Sequence, residues 1–111
     1  MFYKEILLDK PRRFRYDYNA IADVEERASL GIGAMFTAER VGFHTIRLLV
    51  WGGLKWENRG LTLDAVGNMI GKYIEAGGNL ADLVMEIKDC MVQAKIIQEV
   101  DEGNEEAETE E

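Results

Sequence analysis

The chain has 111 residues, 47% of them hydrophobic and 31% charged, which is the balance of one globular domain with a single modest core. The uncharged stretch at residues 48–54 has only seven residues, whereas a membrane-spanning helix needs about 20. We therefore expect no membrane segment, and the charged side chains within the first ten residues argue against a signal peptide. The lone cysteine, Cys90, excludes an internal disulfide and is typical of a reducing compartment.

The formal net charge of −8 is concentrated at the end of the sequence. Residues 101–111 contain seven acidic residues and no basic one, which leaves a net charge of only −1 for residues 1–100. A segment of this composition repels nucleic acid and has too little apolar surface to fold. The sequence therefore predicts one domain over residues 1–100, followed by a disordered acidic tail over residues 101–111.

Residues 2–18 have the pattern of a β-hairpin. The segments FYKEILL and RFRYDY flank DKPR, and in the second segment Phe14, Tyr16 and Tyr18 alternate with charged residues. This alternation favours a strand, and Pro11 is expected in the connecting turn.

A basic cluster lies on the predicted hairpin and consists of Lys10, Arg12, Arg13 and Arg15. Basic residues interleaved with aromatic ones are found in nucleic-acid-binding surfaces. Charged side chains also protect exposed edge strands from aggregation. Because the cluster is short and the chain carries an acidic tail, we favour the second interpretation and expect no nucleic-acid partner.

About four helices are predicted after the hairpin, so the fold class is α+β and mainly α. The first helix is capped by Asn19 or Asp17 and ends before the glycines of GIGAMF, which indicate a helix break and a turn. The second is expected to begin after an N-cap at Thr37 and to continue to about Trp56.

Two further helices follow the loop ENRG. Thr62 is the predicted N-cap of the third helix, which we expect to end at Gly77-Gly78. Asn79 starts the fourth helix, which is predicted to continue to about Glu99.

The second predicted helix is apolar on nearly all sides, since Arg47 is the only charged residue between Arg40 and Lys55. Such a helix is usually buried at the centre of a domain. Glycine inside a helix costs about 1 kcal/mol relative to alanine, so the adjacent glycines of VWGGL suggest close approach by a neighbour. We predict that they pack against glycines of the third helix, with Trp51 beside them. The predicted structural core is Ile46, Leu49, Val50, Trp51, Gly53, Leu54, Gly67 and Gly71.

The fourth predicted helix has two apolar faces. The broad one is the predicted core face and contains Leu80, Leu83, Val84, Ile87, Cys90, Met91, Ala94 and Ile97. Met85, Val92 and Ile96 form a narrow stripe roughly opposite. Two interpretations remain open: isolated apolar residues are common on surfaces, and a stripe can bind a partner or a second copy. We take the stripe as the candidate partner-binding site.

No residues have the spacing of a catalytic or ligand-binding motif. His44 has no ligand partners at metal-binding spacing, Cys90 has no Cys-His motif, and nucleotide-binding and hydrolase signatures are absent from the sequence. The sequence therefore predicts a non-enzymatic protein with no catalytic, metal or cofactor-binding residues.

The order of several segments resembles that of the tail assembly chaperones of long-tailed bacteriophages and prophages. FRYDYNAIADVEER is followed by a glycine-containing break and by IRLLVWGGLKWENRGLTLDAVGNMI, and the similarity extends over residues 3–97. The glycine-rich break and Gly52, where alanine is common, depart from the family pattern. The residues in the family's typical positions are Asn19, Ala20, Glu25, Leu49, Trp51, Gly53, Leu54, Leu61, Thr62 and Val66.

The resemblance implies a chaperone without enzymatic activity in the cytoplasm of the host bacterium. Proteins of this family bind the long helical tape-measure protein, keep it soluble and assist polymerisation of tail-tube subunits around it. The expected partners are therefore the tape-measure protein and the tail-tube protein, with self-association as a further option and no membrane.

Two other functions are compatible with the sequence. One is a structural head–tail connector or tail completion protein, which would remain in the virion. The other is a small nucleic-acid-binding regulator that uses the basic cluster of the hairpin.

Overall fold

A computed structural model describes residues 2–37 and 41–97 of the chain. An N-terminal antiparallel hairpin is followed by four α-helices, which confirms the predicted α+β, mainly α class. The predicted acidic tail, residues 101–111, lies outside the described residues. Among those that are described, no helix is long and apolar enough to cross a membrane.

The hairpin pairs β1 (Lys4–Leu7) with β2 (Pro11–Phe14). Pro11 was predicted in the turn, but it is the first residue of β2 and pairs with Leu7. At this end of the strand its missing N–H is tolerated. The second strand is also shorter than predicted, because the chain after Phe14 turns to α2 instead of continuing the ladder. There the N–H of Arg15 donates to the carbonyl of Gly53 at 2.9 Å.

Helix α1 (Tyr18–Ala28) begins at Asp17, one of the two predicted caps, whose carboxylate accepts a 2.8 Å hydrogen bond from the N–H of Ala20. This bond, with a smaller effect from Arg15, lowers the pKa of Asp17 below its usual 3.8. The charged carboxylate therefore stabilises the fold above its usual pKa, and this stabilisation is lost as the pH falls through the lowered value.

Replacing Asp17 with alanine is expected to lower the free energy of unfolding by about 1 kcal/mol at neutral pH, since the N-cap bond is lost. The difference from the unmodified chain should shrink as the pH falls below the usual pKa of Asp17, because the protonated carboxyl is a weaker acceptor. Urea unfolding at neutral and acidic pH measures both effects. A difference that does not change with pH would contradict the role of the charged cap, and Asp17→Asn is the control that keeps an acceptor.

The predicted break after α1 is present. Ser29 has a positive φ of 54° at the end of the helix, and a short 3₁₀ helix, Ala34–Phe36, follows. The Glu25 carboxylate accepts a 2.7 Å hydrogen bond from the N–H of Ile32, and Met35 is fully buried. The glycine-containing segment 31–36 therefore packs on the core through Met35.

Helix α2 (Phe43–Leu54) lies at the centre of the fold, where it packs against β2 and the other three helices. Its last seven residues are all buried, including Leu49, Val50, Trp51, Gly53 and Leu54 of the predicted core, and Ile46 is buried one turn earlier. The predicted start is wrong, because the N-cap is Gly42. Thr37 instead follows the 3₁₀ helix, with its hydroxyl donating to the carbonyl of Ala34.

The glycines of α2 are closely approached, but not by the predicted neighbour. A Cβ on Gly52 would lie 2.3 Å from Val24 Cγ2 of α1, and one on Gly53 would lie 2.7 Å from Phe14 Cδ2. The rings of Phe14 and Tyr16 thus occupy the space that we assigned to Trp51.

The predicted glycine pairing of α2 with α3 (Leu63–Glu75) is therefore wrong. Gly71 is exposed with no atom near the position of a Cβ, and Gly67 is half-buried against the side chain of Arg47. The reason is that the hairpin and α1, and not α3, cover the glycine side of α2. Thr62 caps α3, and the turn at Gly77-Gly78 ends it, as predicted.

Helix α4 (Leu80–Gln93) begins at Asn79, whose side chain accepts hydrogen bonds from Ala81 and Asp82. Its core contacts come from Leu83, Ile87, Cys90 and Met91, which are all buried. The other predicted core-face residues are only half-buried; these are Leu80, Val84, Ala94 and Ile97.

Candidate partner-binding surface

The predicted stripe of Met85, Val92 and Ile96 does not exist as one surface, because α4 ends at Gln93 and not near Glu99. Lys95 has a positive φ of 65°, and the N–H of Ile96 donates to the carbonyl of Met91 at 2.9 Å. This is a Schellman-type helix end, which turns the following residues off the helix axis.

Ile96 therefore lines a hollow shared with α1 and the segment that follows it, while Met85 stays exposed on α4. Val92 is half-buried in the last turn between them. The prediction was wrong because it extended the helical period past a helix end that has no glycine. The other residues that line this hollow are Tyr18, Ile21, Ala22, Glu25 and Ile32.

Met85 instead belongs to an apolar groove between the start of α2 and the first turns of α4. The first hollow of this groove has a volume of about 500 Å³ and is lined by Val41, Gly42, Phe43, Ile46, Leu80, Ala81, Val84 and Met85. An adjoining hollow of about 350 Å³ extends it towards α3 and adds Arg47, Gly67 and Ile70. We call these two hollows together the α2–α4 groove.

Two large apolar side chains at the groove are exposed to solvent. Phe43 is 81% exposed and Met85 is 68% exposed. Leu80 and Val84 lie half-buried in the same groove. Single exposed apolar residues are common, but a contiguous apolar patch marks an interaction site.

Sequence reasoning did not single out Phe43, because it treated the whole second helix as a buried central helix. Phe43 is the first residue of the helix and extends past the core that covers the later turns. The available signal was the breadth of the predicted core face of α4, on which Leu80 and Val84 are only half-buried.

Arg47 is the charged residue of the groove. Its Nε is buried without a hydrogen-bond partner, and its Nη2 lies 3.1 Å from Nδ1 of His44. Among the described residues, no carboxylate forms an ion pair with it. The Nε atom is itself covered, but the guanidinium as a whole has no carboxylate partner among the described residues, and a carboxylate on a bound molecule would supply one.

Three of the four basic residues of the hairpin cluster form ion pairs within the chain, and Lys10 forms none among the described residues. Arg12 pairs with Asp9 at 2.8 Å, Arg15 pairs with Asp17 at 2.9 Å, and Arg13 pairs with Glu57. The guanidinium of Arg13 also lies against the rings of Tyr3 and Trp56.

Cys90 and His44 differ in their surroundings. Cys90 is buried with its Sγ 3.6 Å from the carbonyl of Phe14, and burial raises the pKa of its thiol to about 11. The thiol is therefore protonated at neutral pH and acts as a small core residue. His44 is exposed, and the described part of the chain contains no group of three or more His, Cys, Asp or Glu side chains placed to hold a metal ion.

Comparisons of the chain with protein-family models, curated proteins and solved structures find no match. We therefore infer a function from the α2–α4 groove, which has two exposed apolar side chains and an Arg47 guanidinium without a carboxylate partner among the described residues.

Proposed function

We propose that this protein is a non-enzymatic tail assembly chaperone of a long-tailed phage or prophage, and that it binds an amphipathic helix of the tape-measure protein in the α2–α4 groove. The observation that carries the proposal is the contiguous apolar lining of this groove, from Phe43 to Met85. The partner is proposed from the resemblance to this family, because the order of sequence segments over residues 3–97 is similar to that of its members.

The groove has the chemistry that an amphipathic helix requires. Such a helix buries an apolar face in a hydrophobic groove with anchors one turn apart, and the two adjoining hollows supply apolar lining from three helices. The unbranched Met85 adapts to anchors of different shapes. A carboxylate on the bound helix would satisfy the guanidinium of Arg47.

This arrangement also explains how a chaperone can release its partner. The tape-measure protein is long and helical, and its apolar faces are exposed until tail-tube subunits enclose them. A shallow groove covers one such face reversibly in the cytoplasm of the host bacterium. Tail-tube subunits or a second copy of the chain would compete for the same apolar surfaces.

The test replaces Phe43 or Met85 with glutamine in the full chain and measures its affinity for the tape-measure protein of the same phage or prophage. Each substitution is expected to weaken binding by about tenfold or more, since buried apolar anchors at an interface are worth more than 1 kcal/mol. Leu7→Gln is the matched control, because Leu7 is 61% exposed but lies on β1 outside the groove. On co-expression, Phe43→Gln and Met85→Gln should lower the soluble yield of the tape-measure protein, whereas Leu7→Gln should not.

Equal affinities for all three variants would place the binding surface elsewhere. If Phe43→Gln and Met85→Gln only convert a dimer to a monomer in sedimentation, the groove is a self-association surface. Recovery of the protein from purified virions in ring-like stoichiometry would favour the connector function instead.

A further inference from the structure

A second, polar cleft of about 440 Å³ lies where the start of α1 meets the end of α2. Its charged lining consists of three basic residues, Arg15, Lys55 and Arg59, and one acidic residue, Asp17, and the ring of Trp56 lies beside them. The ring is held in place because its Nε1 donates to the carbonyl of Arg13 at 3.1 Å. The proposed function does not use this cleft.

The cleft retains positive charge after the ion pairs within the chain are counted. Arg15 bonds to Asp17 and Lys55 bonds to Asp23. Arg59 is exposed and has no carboxylate partner among the described residues. A guanidinium has five N–H donors, so the paired Arg15 also keeps donors for a further anion. The cleft is thus suited to a carboxylate-rich ligand.

The sequence supplies such a ligand. Residues 98–111 contain eight acidic residues and no basic one. They follow Ile97, and the preceding Ile96 lines one hollow together with Tyr18 and Ala22 of α1. Asn19 and Ala20 of the same helix line the cleft.

The distance from Ile96 to the polar cleft is short. The two sites share one turn of α1, and a helix with its side chains is about 10–12 Å wide. A segment of this length spans about 46 Å when extended, at about 3.3 Å per residue. A segment of 14 residues is therefore long enough to reach the cleft.

We propose that the acidic segment 98–111 binds the cleft of Arg15, Lys55, Trp56 and Arg59 within the same molecule. Each exposed ion pair contributes little, so a free peptide of this composition would bind weakly. Because the segment is tethered, its effective concentration is in the millimolar range, which is enough to occupy a weak site. Bound in this way, it neutralises the cleft and keeps polyanions from it, and the α2–α4 groove stays open.

The experiment places a nitroxide spin label on the full chain at Thr109→Cys. Cys90 does not react, because it is buried and its thiol pKa is raised to about 11. At low salt, NMR should show strong broadening of the Trp56 indole N–H and the Arg59 amide. The amides of Gly71 and Lys72, which lie on the exposed side of α3, should be unaffected.

The charge dependence distinguishes a specific contact from chance approach. The broadening should be lost at about 1 M salt, where screening acts within about 3 Å, and in the Arg59→Glu variant. Lys72→Glu is the matched control, because it reverses an exposed cation outside the cleft, and the broadening should persist.

Equal broadening at Trp56 and Gly71, or broadening that survives Arg59→Glu, would overturn the proposal. So would an unbroadened Trp56 in a full chain that binds a single-stranded DNA oligonucleotide through Arg59, because the cleft would then be a nucleic-acid site. None of these outcomes depends on tape-measure binding, so the proposal can fail while the chaperone function stands.

Discussion

Replacing Gly53 with alanine is expected to lower the free energy of unfolding by about 2 kcal/mol. The new methyl group would lie 2.7 Å from Cδ2 of Phe14 and 2.8 Å from Cζ of Tyr16. Both rings are buried, and the hydroxyl of Tyr16 donates to the carbonyl of Leu49, so neither ring can move aside cheaply. Overpacking costs about 1–3 kcal/mol, and we take the upper end because the new methyl group would lie within 3 Å of both rings. Subtracting a gain of about 1 kcal/mol in helix propensity leaves a net loss of about 2 kcal/mol.

Gly71→Ala is the matched control for this effect. Gly71 also lies inside a helix, but it is exposed, and among the described residues no atom outside its own stretch of helix lies within 4 Å of the position of its Cβ. Alanine should therefore stabilise the protein at this position by about 0.5–1 kcal/mol. Both substitutions add one methyl group to a helix, but their effects on the free energy of unfolding are expected to have opposite signs.

Thermal and urea unfolding measure both variants. A loss of about 2 kcal/mol corresponds to a fall in Tm of roughly 10 °C for a domain of this size. If Gly53→Ala were as stable as the unmodified chain, the close packing of the hairpin on α2 would be wrong.

Replacing Trp51 with alanine is expected to cost about 3–5 kcal/mol, the usual range for a large aromatic residue removed from a core. Trp51 is only 7% exposed, and its Nε1 donates to the carbonyl of Leu61 at 3.1 Å. The guanidinium of Arg27 lies 4.6 Å from the centre of its ring and Nζ of Lys55 lies 5.1 Å away. The substitution would leave a cavity, an unpaired carbonyl and two cations without their aromatic contact.

Trp56→Ala provides the comparison, because Trp56 is only half-buried and packs at the surface of the hairpin. Its loss should cost about 1 kcal/mol, mainly through the hydrogen bond to the carbonyl of Arg13. Urea unfolding measures both. Equal losses for the two variants would show that Trp51 is not the central anchor of the fold.

These predictions separate two functions of α2. Its second half, from Leu48 to Leu54, is buried and holds the hairpin and α1 to the domain. Its first residue, Phe43, is exposed at the α2–α4 groove and contributes little to the core. Substitutions at Phe43 should therefore alter partner binding while the fold remains stable, which makes the proposed function testable in a folded protein.

Local chemistry in the sequence was enough to predict the elements and several of their ends. Asp17, Thr62 and Asn79 cap their helices because a short polar side chain reaches the free N–H groups of the next turn, whatever the rest of the chain does. The burial of α2 could likewise be predicted from its nearly uniform apolar surface.

Only the tertiary structure decided which elements meet. The sequence showed that Gly53 needs a close neighbour, but the choice of Phe14 and Tyr16 over α3 depends on how the hairpin folds back onto α2. Likewise, the left-handed turn at Lys95 separates Ile96 from Met85, and it has no glycine to signal it. Helical periodicity describes faces within one helix, whereas a binding surface such as the α2–α4 groove arises from residues of several helices that the chain brings together.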